Sequence, residues 1–308
     1  MGSTDLARVL VCKGSRVFVS GLLSVMTPVY LDLLGYSPAY IGAFLLVIVL
    51  GNVLSNLALS QYERRFGLKR FLLLFSGLMV VAGFLLYSTT STPLLLLAFL
   101  IGNISTTWTE AGPFQSIEVG MLPRIVAPGR INRTFGLYNF LGYGVASFGA
   151  LAASIPGYLH NSLLIFRSLY LVYGLVGLLL FVLYLGLRCI EAPTAAVQKQ
   201  KFDPAPKVKK DIRRLSALYS VDSFGGGFVT QSLLAYWFYL VYRVSLMDLG
   251  IIFFVVNVIT ALSIFGAFLI AERAGNLRTM VITHLLSSVF LTVIPLATSF
   301  PWLSCSFF

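Results

Sequence analysis

The sequence predicts an all-α membrane protein, a polytopic helical bundle, and three observations carry that prediction. Of its 308 residues 58% are hydrophobic and only 11% charged, against about 25% charged in a soluble domain. The apolar residues gather into blocks near the ~20 residues a helix needs to cross a ~30 Å hydrocarbon core. These blocks are continuous, whereas the strands of a membrane barrel would alternate apolar and polar positions.

Nine blocks follow along the chain, at about 15–34, 40–60, 70–89, 93–118, 133–155, 164–188, 214–240, 246–270 and 279–300. In hydrocarbon a spanning segment must satisfy its own backbone hydrogen bonds, so each block is read as a helix. The net charge of +11 would suit nucleic acid, but the lysines and arginines lie between the blocks and not on one soluble face. A lipid bilayer is therefore the expected partner and nucleic acid is not. With the N-terminus in the cytoplasm, all of the 22 basic residues except Arg167 and Arg243 fall on the cytoplasmic side, which is the usual orientation signal. The expected location is the cell membrane, with nine spans leaving the C-terminus outside. Lys13 and Arg16 are read as flanking the first span. A cleaved signal peptide is disfavoured, because no small-x-small site follows and the apolar run continues to Leu34. Cys12, Cys189 and Cys305 are scattered and form neither a metal spacing nor a disulfide framework. No metal or cofactor is expected.

Residues 191–212 form the one soluble-looking stretch, with Pro193, Pro204, Pro206 and several lysines. It reads as a cytoplasmic linker between a six-helix half, residues 1–190, and a partial second half, residues 213–308. Contact of its cations with anionic headgroups is the alternative reading. The two sides resemble each other. Ser37 and Ser245, Gly42 and Gly250, and Gly67 and Gly275 are each 208 residues apart. Parallel repeats of this kind are a transporter architecture, with the solute site between the halves.

The stretch Glu63-Arg64-Arg65-Phe66-Gly67-Leu68-Lys69-Arg70 and its counterpart Glu272-Arg273-Ala274-Gly275-Asn276-Leu277-Arg278 carry a resemblance to the major facilitator superfamily. The family motif between its second and third helices runs Gly-x-x-x-Asp-Arg-x-Gly-Arg-Arg/Lys. Here Arg65, Gly67 and Lys69 match the arginine, the second glycine and the terminal basic residue. Ser60 replaces the first glycine, Arg64 stands at the acidic place, and Glu63 comes one place early. The second copy offers Glu272 as the acid, with Arg273 and Gly275. Residues 278–284 also look like a poorly characterised branch of the family. The resemblance implies a loop that latches one conformation, an acid bridging to the neighbouring helix while the glycine makes a tight turn. The other reading is that these basic residues only set topology. The family has six helices per half, and this sequence stops after the third of its second half, so it looks truncated. The family's central cavity is lined by its first, fourth, seventh and tenth helices.

An ionisable residue inside a membrane helix costs roughly 2.5–3.5 kcal/mol on insertion scales and is a candidate functional site. Asp222 lies some eight residues into the seventh block and is followed by Gly225-Gly226-Gly227, where a helix is weakened and can open. Close helix packing is the other use of such glycines. Glu110 and Glu118 lie in the fourth block with Asn103. For Glu118, snorkelling or pairing with Arg124 competes with a cavity role. Gln231 lies opposite Asp222 on an ideal helix, and a break at the glycines would bring both to one cavity. Asn52 and Asn56 share a face of the second block and are read as interhelical hydrogen-bonders. Arg16 and Asp32 are read as anchors at the ends of the first helix.

The leading function is secondary transport of a small solute by alternating access, with ion or proton coupling at Asp222 and Glu110. The sequence identifies no substrate, and H+ is the expected coupling partner. A non-transporting membrane protein, either a remnant or an interaction scaffold, is the alternative. Catalysis is not expected, since no zinc-protease pattern, phosphate-binding loop or nucleophile elbow is present.

Overall fold

In a computed structural model, which describes residues 2–107, 112–159, 162–187 and 206–293, the chain is a helical bundle with no strand among the described residues. The helices are α1 (Gly2–Leu33), α2 (Pro38–Phe66), α3 (Leu68–Ser88), α4 (Thr92–Ile101), α5 (Pro113–Ile125), α6 (Ile131–Ala152), the single turn α7 (Ile155–Tyr158), α8 (Leu163–Leu185), α9 (Pro206–Gly227), α10 (Gln231–Tyr242), α11 (Leu246–Ala274) and α12 (Asn276–Val293). Six described stretches are long and apolar enough to cross a membrane: Thr4–Leu33, Pro38–Glu63, Leu68–Ser88, Arg133–Tyr158, Leu163–Leu185 and Leu246–Ile264. Their outward faces carry exposed apolar residues such as Leu46, Leu54, Phe84, Leu175 and Val182, as lipid contact requires and water would penalise.

Six of the nine expected blocks are membrane-length apolar helices among the described residues, the ninth is described only to Val293, and several boundaries move. The first helix begins at Gly2, not near residue 15. Lys13 and Arg16 are therefore mid-helix and buried, and Arg16 is not an end anchor. The fourth block is not one helix: α4 ends at Ile101 and α5 begins at Pro113. The seventh block starts earlier, at Pro206, and is interrupted at residues 228–230. Residues 206–212 of the expected linker are thus helical, while residues 191–205 lie outside the described residues.

The internal repeat extends to the helix ends. Pro38 and Leu246 open α2 and α11, Phe66 and Ala274 close them, and Leu68 and Asn276 open α3 and α12; each pair is 208 residues apart. Gly67 and Gly275 hold the intervening turns with φ of 80° and 86°, a region where a Cβ is strained. Past the ends of α1 and α10, Gly35 and Arg243, also 208 residues apart, both take positive φ, 87° and 54°. Local chemistry sets the starts. Pro38 follows the N-cap Ser37 of α2, where its missing N–H costs nothing. At α11, Ser245 Oγ donates to Asp248 Oδ2 at 2.6 Å and accepts from the Asp248 N–H at 3.1 Å, a reciprocal cap.

Small residues bring the helices together. Gly83 of α3 faces Gly174 of α8, and a Cβ on Gly83 would sit 2.5 Å from the Gly174 Cα. Gly51 of α2 lies against Leu100 of α4, and Gly21 of α1 against Ala146 of α6. Gly250 of α11 meets Ala150 of α6 and Ser154 just past its end, which brings α11 onto α6. Lipid offers no hydrophobic drive between helices, so such backbone approach and its dispersion gain hold the bundle. By contrast, α9 is exposed along Lys207–Phe228.

Cations close the end of α8. Lys69 Nζ donates to the Leu187 carbonyl at 2.9 Å, and Arg8 donates to the Gly186 carbonyl. Both satisfy carbonyls that a helix end leaves open and oppose its negative dipole end. Replacing Lys69 with methionine should lower the stability by about 1 kcal/mol, read as a fall in the thermal midpoint of the purified protein; an unchanged midpoint would limit Lys69 to a topological role.

Candidate functional site

The site is built on two helix interruptions and a proline. Pro28 lies inside α1. It has no N–H, so it leaves the carbonyl four residues back without its helical partner; that carbonyl belongs to Ser24. Ser232, in the first turn of α10, donates its Oγ to Ser24 O at 2.7 Å. The Ser232 backbone N–H, one of the orphan donors of a helix start, donates to Thr106 O at 3.1 Å. Thr106 lies in the interruption between α4 and α5. Ser232 thus joins the first, fourth and seventh blocks through groups that interrupted helices expose. Ser24 lies nine residues before Leu33, the end of α1, or about 14 Å, near the middle of a ~30 Å core.

Three carboxamides lie along this seam. Asn103 takes a left-handed φ of 53° just past the α4 C-cap Gly102. Its Nδ2 donates to Ile101 O at 3.2 Å, while its Oδ1 is buried without a partner. The hydroxyl of Tyr173 on α8 takes the Gly102 carbonyl. Asn52 of α2 donates to Ile104 O at 2.7 Å and leaves its own Oδ1 unmet. Gln231, next to Ser232, is fully buried with both Oε1 and Nε2 unmet. The interhelical role expected of the α2 asparagines is visible in these bonds and in the 2.9 Å bond from Ser116 Oγ of α5 to Asn56 Oδ1. Further along, the Tyr236 hydroxyl donates to Asp32 Oδ1 at 3.0 Å, so Asp32 ties α1 to α10.

A buried charge centre lies on the other side of the seam, toward the N-terminus of α1. Arg16 reaches Glu118 of α5 through two parallel bonds, Nη1 to Oε1 at 2.7 Å and Nη2 to Oε2 at 2.6 Å. Tyr138 of α6 and Tyr184 of α8 each donate to Glu118 at 2.8 Å. The guanidinium lies 4.8 Å from the Phe114 ring centre, and Lys13 Nζ lies 4.8 Å from that of Tyr138. Glu118 is 0% and Arg16 2% exposed, so Glu118 does not snorkel. Two-pronged, charge-assisted bonds are roughly twice as strong as neutral ones and fix the geometry of both partners.

The other expected residues fall elsewhere. Asp222 is on the exposed α9, its Oδ1 4.0 Å from His284 Nδ1 of α12; it has a neighbour that the sequence reading did not name. The interruption follows the three glycines, which stay inside α9, and it leaves Asp222 exposed while Gln231 is buried. Glu110 lies outside the described residues. In the first turn segment Glu63 and Arg65 are exposed, Arg65 over the Phe66 ring at 5.6 Å, and Lys69 makes the bridge to α8 given above. The side chains of Glu272 and Arg273 are outside the described residues. Sequence reading missed Ser232 and Arg16. Pro28 in an apolar run was the available signal for the first, and an arginine and a glutamate both in apolar surroundings for the second.

Residues 9–308 match the profile of the Major Facilitator Superfamily. The chain belongs to the major facilitator superfamily. It is also 23% identical over 328 residues to an uncharacterized membrane protein of Saccharomyces cerevisiae, an alignment covering 95% of this chain and 73% of that one. With its six described membrane-length apolar helices, the chain is a multi-pass membrane protein of the transporter kind. In this superfamily member the first, fourth and seventh blocks, three of the four expected cavity walls, meet at Ser232.

Proposed function

We propose that the chain is a secondary transporter that carries a small solute across the cell membrane by alternating access, with its N-terminus in the cytoplasm. The observation that supports this most is the junction at Ser232, where interruptions of two blocks and the proline-freed carbonyl of a third converge beside an unmet buried carboxamide. Interrupted helices near the midplane give a solute backbone and side-chain groups to bind. Asn103 and Gln231 are the proposed solute contacts. Asp222 and Glu110 are the proposed coupling carboxylates, with His284 facing Asp222. Glu118 acts in this reading by holding α5 in place. The turn segments at Glu63, Arg65, Gly67 and Lys69 and at Glu272, Arg273 and Gly275 serve as conformational latches.

Uptake of a panel of labelled solutes by cells expressing the chain tests this. At least one solute should accumulate above the level in cells lacking the chain. Gln231→Leu should abolish that uptake at every pH, and Asp222→Asn should remove its pH-dependent part while membrane insertion stays intact. Normal coupled uptake by Asp222→Asn would refute its assigned role, and full uptake by Gln231→Leu would remove the seam as the solute site.

A further inference from the structure

Helix α9 opens with a run of cations. Lys207, Lys209, Lys210, Arg213 and Arg214 all fall within its first two and a half turns, and all are exposed. At 3.6 residues per turn they share one arc of about 160° around the helix. Lys209, Lys210, Arg213 and Arg214 line a single surface hollow. The acids of α9, Asp211 and Asp222, both lie outside the arc, and Asp222 is turned toward His284 of α12. Val208, Ile212 and Leu215 occupy the side opposite the cations, so the opening turns are amphipathic.

Further along, the same arc becomes apolar. Val221 and Phe224 lie on it, about 10 and 15 Å past Arg214 at 1.5 Å per residue, and they are 73% and 72% exposed. Phe228, just past the helix end, meets the Phe224 ring edge-on at 5.2 Å. One face of α9 thus runs from cations to exposed apolar side chains. That is the order of groups in a phospholipid, whose phosphate sits at the membrane surface and whose acyl chains point inward. Arginines bind phosphate oxygens through charge-assisted bonds, and the positive end of the α9 dipole lies at the same end as the cations. A soluble phosphate or an acidic protein would match the cations and leave Val221 and Phe224 without a use.

We propose that this face of α9 binds an anionic phospholipid, with its phosphate among Lys210, Arg213 and Arg214 and its acyl chains along Val221 and Phe224. In the orientation proposed above, the lipid belongs to the cytoplasmic leaflet and holds the start of the second half against it. The inference is independent of the solute site at Ser232.

The test titrates the purified full chain, in an uncharged detergent, with dioctanoyl phosphatidylglycerol, dioctanoyl phosphatidylcholine, glycerol phosphate and polyglutamate. Phosphatidylglycerol should bind at least about tenfold more tightly than the other probes, and less tightly at high salt, which screens charge. Arg213→Gln with Arg214→Gln should weaken it about 30-fold, at about fivefold per cation. Arg130→Gln with Arg133→Gln removes the same charge from exposed positions at the start of α6 and should change it less than about twofold. Phe224→Ala should weaken phosphatidylglycerol and leave glycerol phosphate unchanged. Helix content should be the same in all variants. Phosphatidylcholine binding as tightly as phosphatidylglycerol, or no binding of phosphatidylglycerol, would overturn the proposal. Glycerol phosphate binding as tightly would make the cations a site for a soluble phosphate, and polyglutamate binding as tightly would make them a docking face for an acidic protein; each overturns the lipid. Equal losses in the two double variants would reduce the α9 cations to bulk charge and overturn it too. The uptake panel stands apart from all of these outcomes, so this inference and the transport reading fail separately.

Discussion

Replacing Glu118 with alanine should destabilise the protein by about 3–5 kcal/mol, the usual result of removing one partner from a buried ion pair. The reason is the charge left behind. Arg16 is 2% exposed in the middle of α1, too far from either helix end to reach water by extending its side chain. Without Glu118 its guanidinium loses a two-pronged carboxylate partner, while Tyr138 and Tyr184 lose an acceptor. Arg16→Met should cost a similar amount, because the carboxylate is then the unpaired charge. Arg16→Met combined with Glu118→Leu should recover most of the loss, since an apolar pair of similar volume often matches a buried ion pair in stability. The thermal midpoint and the recovered yield of detergent-purified protein measure all three. A single substitution costing under about 1 kcal/mol would mean that the pair is reached by water and behaves as a surface pair.

The pair also bears on how the fold tolerates its interruptions. α5 has 13 residues, too short to cross the core alone, and it is not continuous with α4. Glu118 fixes it to α1, α6 and α8 at once. An interrupted helix inside a bilayer is allowed where its loose backbone is taken up by other protein groups, and here the Gly102, Ile104 and Thr106 carbonyls each find a donor.

Positions along the chain were more legible than partners across it. Helices such as Leu68–Ser88 and Leu163–Leu185 follow from continuous apolar runs, because hydrocarbon allows the backbone few alternatives. The start of α1 was not legible. Residues 2–14 carry Asp5, Arg8 and Lys13, which read as a flank, yet Asp5 and Lys13 are buried against other helices. Local composition cannot report burial that distant segments supply. The interruption after Gly102 was missed for a related reason. Gly102 resembles the packing glycines Gly51 and Gly83, and only the tertiary bond from Tyr173 distinguishes it. At the seventh block the glycine run gave a signal, but the interruption falls just after it, at residues 228–230, where Thr230 caps α10 by accepting from the Leu233 N–H. The Arg16–Glu118 pairing spans 102 residues and no spacing rule reaches that far. The repeat was legible because one offset ties several short local signals together, and that offset recurs in the turn geometry at Gly67 and Gly275.

Gly149→Ala should be the most damaging single-methyl change in the described bundle, at about 3 kcal/mol, the upper end of ordinary overpacking. A Cβ on Gly149 of α6 would lie 1.9 Å from Phe18 O of α1 and 2.8 Å from its carbonyl carbon. The obstacle is backbone in the middle of a helix, so no rotamer change relieves it, and α1 and α6 must separate where they cross. Gly21 makes the reciprocal approach, its added Cβ 2.2 Å from Ala146 O, so the crossing is tight on both sides. Separation would carry Tyr138 of α6 away from Glu118 and loosen the charge centre as well. Gly144→Ala is the matched control on the same helix, since an added Cβ there meets nothing within 4 Å. It should be neutral, or stabilising by up to about 1 kcal/mol through helix propensity. Thermal midpoints of the two variants in one detergent decide the matter. Equal midpoints would show that α1 and α6 are free to part at this crossing, and that the close backbone approach there does not hold the bundle.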